Sequence, residues 1–233
     1  SLVLEAETLI DDALEDVGKS RYIISDDEFS EKRTIASFAR KILSLDSSIF
    51  IQFATPLDCI GNPVNAHGQS VGFDGQIIDR REYICDDAGN VIQDTQRDHQ
   101  YTKRLAYKIS ESYKATSIIV ATHLVARVAW LLLKEKHPHL DDIQMALLPA
   151  DNRTIQLSDL VAKVSKATDW IANNELKHCL PSTTEAIIEQ AHHRFSLFHR
   201  NIAVQQTDNV VIINAKLALY YGNRLAHLPY FQA

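Results

Sequence analysis

The sequence predicts a mainly α fold with minor β, closing in a helical domain that carries a C-terminal β-hairpin. Three observations lead there. Beyond Asp94, apolar residues recur at helical spacing in five successive segments. Two Ser-x-x-Glu patterns, Ser25 with Glu28 and Ser182 with Glu185, have the form of capping boxes, in which hydroxyl and carboxylate each satisfy an orphan backbone N–H. Two short runs are β-prone, residues 49–56 and 202–213.

Taken in order, residues 2–17 place Ile10, Ala13, Leu14 and Val17 on one helical face, with Gly18 as the stop. The helix after Ser25 carries Ile35, Phe38, Ala39, Ile42 and Leu43. The run IFIQFATP, residues 49–56, reads as a short buried strand ended by proline. Five of the seven glycines then fall between Gly61 and Gly89, so residues 57–94 are turn-dominated, with a hairpin from Glu82 to Gln93 turning at Asp87-Ala88-Gly89-Asn90. No internal repeat or low-complexity segment is read.

Tyr101, Leu105, Ile109 and Tyr113 share the face of the next helix. Residues 117–136 form the most apolar one, interrupted by His123 and Arg127, which marks a buried helix rather than a membrane span. Leu160, Val161, Val164 and Ile171 define a third helix from about Ser158 to Glu175. Ile187, Ala191, Phe195 and Phe198 define a fourth. Residues 202–213 read as a hairpin, and Leu217, Tyr221, Leu225 and Leu228 define a last helix.

A chain of 233 residues can enclose a core without disulfide staples. Its three cysteines, Cys59, Cys85 and Cys179, are scattered, with no Cys-x-x-Cys pair, which fits a reducing compartment. The acidic opening lacks the basic region of a secretory signal. Charge is uneven: residues 1–94 hold 8 Lys and Arg against 18 Asp and Glu, whereas residues 95–233 hold 16 against 12. The mildly basic second part suits an anionic partner such as phosphate or a lipid surface.

Few residues offer chemistry. His137 and Asp142 match His-x-x-x-x-Asp, a spacing in which the acid can orient an imidazole base, but they sit in a loop beside Pro138 without a phosphate-binding run after them. His192, His193 and His199 share a helix without a carboxylate or cysteine to complete a metal site. His123, Arg127 and Lys134 form a stripe on the apolar helix, and burial obliges Arg127 to reach an anion, a carboxylate or solvent. The helix–helix–hairpin order of residues 157–213 also suggests a winged helix, but the segment 166–175 lacks the clustered bases that nucleic acid requires. Dinucleotide, Walker, Gly-x-Ser-x-Gly and His-Glu-x-x-His motifs are all missing from the sequence.

Three stretches resemble the bacterial glycerol-3-phosphate acyltransferase family. Residues 49–84 are similar to the strand after that family's catalytic core and the linker that follows, although Ala54-Thr55-Pro56-Leu57-Asp58 departs from the family's Gly-Pro-Ile/Leu-Asp ending. Residues 105–133 resemble its helix pair with a Thr-Pro-x-x-Leu-Val-Ala signature, with His123 after Thr122 in place of proline. Leu219-Tyr220-Tyr221-Gly222-Asn223-Arg224-Leu225-Ala226-His227 resembles its terminal Tyr-Tyr-x-Asn-x-Leu-x-His segment.

The resemblance implies the C-terminal part of an enzyme that moves a fatty-acyl group from a thioester donor to a glycerol-phosphate hydroxyl. Its His-x-x-x-x-Asp and Phe-Pro-Glu-Gly motifs would lie in an upstream catalytic domain. Residues 1–57 then read as the tail of an α/β acyltransferase domain, 58–94 as a glycine-rich linker and hairpin, and 95–233 as a C-terminal helical domain. Catalytic residues are expected outside this chain, with Arg127 and Arg224 as contacts to a phosphate or lipid headgroup and Tyr221 supporting them from the core. No cofactor, metal or nucleic acid is implied. The expected location is cytoplasmic, with peripheral contact to the inner face of the membrane. The alternatives are a standalone helical interaction or regulatory domain and, less favoured, a winged-helix nucleic-acid binder.

Overall fold

The computed structural model describes residues 1–7, 48–86, 88–199 and 201–232. The described residues are 51% helix and 15% strand, hence mainly α with small sheets. The helices expected over 10–17 and 35–43, and the Ser25/Glu28 capping box, lie outside the described residues. Strand β1 (Leu2–Leu4) pairs with β2 (Ile49–Ile51). The second of these is shorter than the run 49–56 and is not a buried strand: Ile51 is 64% exposed and Phe53 93%.

The described residues belong to two compact units, Ser1–Leu2 with Ile51–Ser117, and the described part of Val3–Phe50 with Ile118–Ala233. The glycine-rich segment therefore shares a unit with the helix that follows it.

That segment is a tandem repeat with a period of seven residues, which corrects the sequence reading of no internal repeat. In the first copy Asp58 N donates to Asn62 O (2.9 Å), Gly61 N to Asp58 O (3.1 Å) and Val64 N to Pro56 O (2.9 Å). The same three bonds recur from Asn65, from Gly72 and, after one interrupted copy, from Asp86. The interruption is a 3-10 turn, Arg80–Tyr83, capped by Asp79. Each turn needs a residue with positive φ at its fourth position, and Gly61, Gly68, Gly75 and Gly89 supply it at +89°, +79°, +82° and +82°. Where the first position is Asp or Asn, its Oδ1 accepts from the amides two and four residues on, as at Asp58, Asn65 and Asp86. Asp58 is the buried member. Burial opposes its charge, yet bonds from Asn62 and Ile60 bring its carboxyl down to about 2.

Helix α1 (Thr95–Thr116) starts at an Asp94 cap whose side chain accepts from Arg97 N. Arg104 Nη2 donates to Asn62 Oδ1 at 2.8 Å, and Gly61 leaves room for Leu105 and Lys108.

The second unit is built around α2 (Ala121–Lys136), preceded by β3 (Ile119–Val120). Twelve of the sixteen α2 residues are buried, the signature of a helix apolar on all sides. Around it lie α3 (Asp142–Ala146), α4 (Leu157–Asn173), α5 (Thr184–Phe198) and α6 (Ala215–Gly222). Leu160, Val164, Ala167 and Ile171 turn the buried stripe of α4 toward this core. The α5 cap is Thr183, bonded to Ala186 N, one residue after the expected Ser182. β3 pairs in parallel with β5 (His178–Cys179). A three-stranded antiparallel sheet has the order β4–β7–β6, from β4 (Thr154–Gln156), β6 (Val204–Thr207) and β7 (Val210–Ile213). The expected C-terminal hairpin is the β6–β7 pair, turning through Asp208 at φ +52°.

Candidate functional site

His123, singled out on α2, meets Tyr221 and Arg224 of the terminal segment in one polar cluster inside the second unit. Tyr221 is fully buried on α6, with its ring 6.2 Å from that of His123 and nearly parallel to it. Its hydroxyl lies 2.7 Å from His199 Nε2 and donates to the Glu7 carbonyl at 3.2 Å, while Glu7 N donates to it at 3.1 Å. Burial pushes the Tyr221 phenol well above its ordinary range.

The N-terminal segment enters the same cluster. Glu5, only 1% exposed, pairs with Arg194 Nε at 3.0 Å and accepts from Gln190 Nε2 at 2.9 Å and Ser48 N at 2.9 Å. Thr122 Oγ1 donates to the Glu5 carbonyl. Glu7 accepts from Arg224 Nη2 at 2.7 Å and from the Tyr220 hydroxyl at 2.6 Å. The Arg224 guanidinium also stands 5.7 Å from the Tyr220 ring centre, within cation–π range.

The two arginines have different environments. Arg127 is 5% exposed, and its Nε (3.0 Å) and Nη2 both donate to the Phe231 carbonyl. Its partner is a backbone oxygen rather than the anion, carboxylate or solvent the sequence suggested. Burial draws its pKa down, opposed by the charge of Asp142. Arg224 keeps 33% of its side chain exposed while paired to Glu7. His123 is buried with Nε2 unpartnered, and its other contact is to the Leu4 backbone. Burial first, then the charge of Arg224, pushes its pKa to about 3, so the ring is neutral.

His137 and Asp142 do not act together. His137 Nε2 meets the Asn152 carbonyl at 3.0 Å, and Asp142 pairs with Lys134 at 3.2 Å. The three histidines do not share a helix: His192 and His193 are exposed on α5, whereas His199 is its buried, extended C-cap. No group of three or more metal-ligating side chains occurs among the described residues. No described helix is long and apolar enough to cross a membrane.

The order is α2–α3–β4–α4–β5–α5–β6–β7, and with the short α3 and β5 set aside it resembles the helix–strand–helix–helix–strand–strand pattern of a winged helix, β7 being central. The second helix of its helix pair is α5, not the segment 166–175. The exposed face of α5 presents Glu185, Glu189, His192 and His193, which suits no phosphate backbone.

Sequence reasoning missed Glu5, Glu7 and Arg194. Their only signal was an acidic opening and a basic second part, since pairing across most of the chain has no local pattern. No known family model, curated protein or solved structure matches the chain.

Proposed function

We propose that the chain is the C-terminal part of a glycerol-phosphate acyltransferase of phospholipid synthesis. In this reading the second unit holds the segment that follows an upstream catalytic domain. One observation supports it above others: two of the three stretches that carry the resemblance contribute side chains to the polar cluster. Thr122 and His123 from one, and Tyr220, Tyr221 and Arg224 from another, converge on Glu5, Glu7 and their backbone. An acidic segment anchored by a buried pair and a half-exposed pair has a fixed path, as a rigid continuation of a catalytic domain requires.

In the proposal, Arg224 is the headgroup contact, because a guanidinium can bond phosphate oxygens while part of it already pairs with Glu7. Arg127 serves from beneath by fixing the Phe231 turn. The acyl-thioester donor, glycerol phosphate and a peripheral contact with the inner membrane face belong to the complete enzyme. The test is acyl transfer from a thioester to glycerol 3-phosphate. Residues 1–233 alone should show no turnover, and the product of the open reading frame extended upstream should show it. Turnover by residues 1–233 that disappears in His137→Ala would place the chemistry at a pair this reading leaves idle. An extended product without turnover would remove the enzyme assignment.

A further inference from the structure

We propose that the cleft bounded by α4, α5 and the β6–β7 hairpin is a docking groove for a basic amphipathic helix of a partner protein. The inference does not rest on the acyltransferase reading. The cleft encloses about 690 Å³. Its floor is apolar, from Val125 and Leu160 through Ile188 to Val204 and Val211. Past Leu157 and Val161 it continues into a second hollow of about 640 Å³, bordered by Gln156 and Asn209.

The rim selects the occupant. Glu185, Glu189 and Asp208 stand around the floor, all exposed, and no Lys or Arg lines it. Among the described residues none of these three carboxylates is paired with a cation. Three unneutralised carboxylates around an apolar floor repel nucleic acid, a fatty-acid carboxylate or an acidic carrier protein, and attract lysine and arginine.

The walls favour a helix. Leu157, Leu160 and Val161 recur on α4 at i, i+3 and i+4. Glu185, Ile188, Glu189 and His192 recur on α5 at i, i+3, i+4 and i+7. Two helical ridges on either side of the cleft leave a groove that the ridge of a third helix can fill. Apolar anchors at i, i+3, i+4 and i+7 would enter it, and flanking bases would meet the rim.

The test uses the full chain and a fluorescent synthetic peptide of Leu and Lys, with Leu at i, i+3, i+4 and i+7, read by anisotropy. A Leu/Glu peptide of the same pattern is the control. The Leu/Lys peptide should bind saturably and the Leu/Glu peptide should not. Glu185→Gln with Glu189→Gln should weaken binding roughly tenfold, the effect of losing two favourable rim pairs. Removing the same charge elsewhere, by Asp98→Asn with Glu111→Gln on α1, should leave binding unchanged. Val161→Asp should abolish binding while circular dichroism stays native. Equal weakening by the rim and remote variants would mean bulk charge attraction and would overturn the proposal. So would a failure to saturate, or saturable binding of palmitate in the same cleft without the peptide, which would make it an acyl pocket.

Discussion

Gly222 of α6 lies so close to α2 that a Cβ on it would stand 2.9 Å from the Arg127 Cα and 3.1 Å from its backbone N. The φ of Gly222 is −67°, an ordinary helical value, so glycine is required here for space and not for backbone freedom. The close approach seats α6 on α2 and aligns Tyr221 with His123. Gly222→Ala must part the two helices, because the obstructing atoms are backbone. The expected loss is roughly 1–3 kcal/mol, as for overpacked cores. Thermal unfolding should register a lower Tm, and an unchanged Tm would mean that the helices are less closely seated than described.

The Glu5–Arg194 pair makes a stronger demand. Glu5 has 2% of its side chain exposed and Arg194 11%. Removing one partner strands a buried charge, so Arg194→Met or Glu5→Leu should each cost on the order of 3–5 kcal/mol. The double variant should recover part of that loss, since neither charge is then left alone. Chemical denaturation of the four proteins closes the cycle. Strictly additive single losses would show that the two residues do not interact.

Asp58 tests the repeat. Its carboxylate serves two backbone amides and the Asn62 side chain from a buried position, whereas Asp86 makes the equivalent turn in the open. Asp58→Ala should destabilise the first unit by about 1–3 kcal/mol, because it leaves buried donors unsatisfied. Asp86→Ala should cost less, since water can replace the acceptor. Hydrogen exchange at Ile60 and Asn62 would read the difference, and equal effects at the two sites would contradict the burial argument. The pH sense follows from the depressed value. From 3.8 to about 2 is a shift that contributes about 2 kcal/mol above the ordinary carboxylate range, lost as pH falls through about 2.

These sites differ in how far the sequence revealed them. The longer helices of the second unit were legible because stripes such as Leu160, Val164 and Ile171 keep the 3.6-residue period over about three turns, whereas α3, five residues long, is too short to show a stripe. The repeat was hidden because its first position changes from Asp to Asn to Gly and its fourth from Gly to Glu. What persists is backbone geometry, whose one trace is the spacing of Gly61, Gly68, Gly75 and Gly89. Arg127 was legible as a buried cation needing a partner, but a carbonyl such as that of Phe231 leaves no mark in sequence. The burial expected of Ile51 and Phe53 failed because an apolar, β-prone run specifies a strand without specifying what covers it.

His123 gives the unit an acid-side dependence that can be isolated. Its imidazole is enclosed beside Tyr221, with one contact to the Leu4 backbone and the charge of Arg224 nearby, and its pKa is held at about 3. The unfolded chain binds a proton at the ordinary histidine value of 6.5, whereas the folded chain does not. The neutral ring therefore favours folding fully above pH 6.5. As pH falls below 6.5 the unfolded state gains protons first, and stability declines by up to about 1.4 kcal/mol per pH unit until the folded pKa near 3 is reached. Between pH 6 and pH 4.5 this slope stands apart from that of Asp58, which begins only near 3.8. His123→Phe keeps a ring against Tyr221 and removes the titration. Denaturant unfolding across that window should show a flatter pH dependence in the variant, whatever offset the lost Leu4 contact adds. Parallel slopes in the two proteins would mean that His123 is protonated in the folded chain, and that its enclosure is not as described.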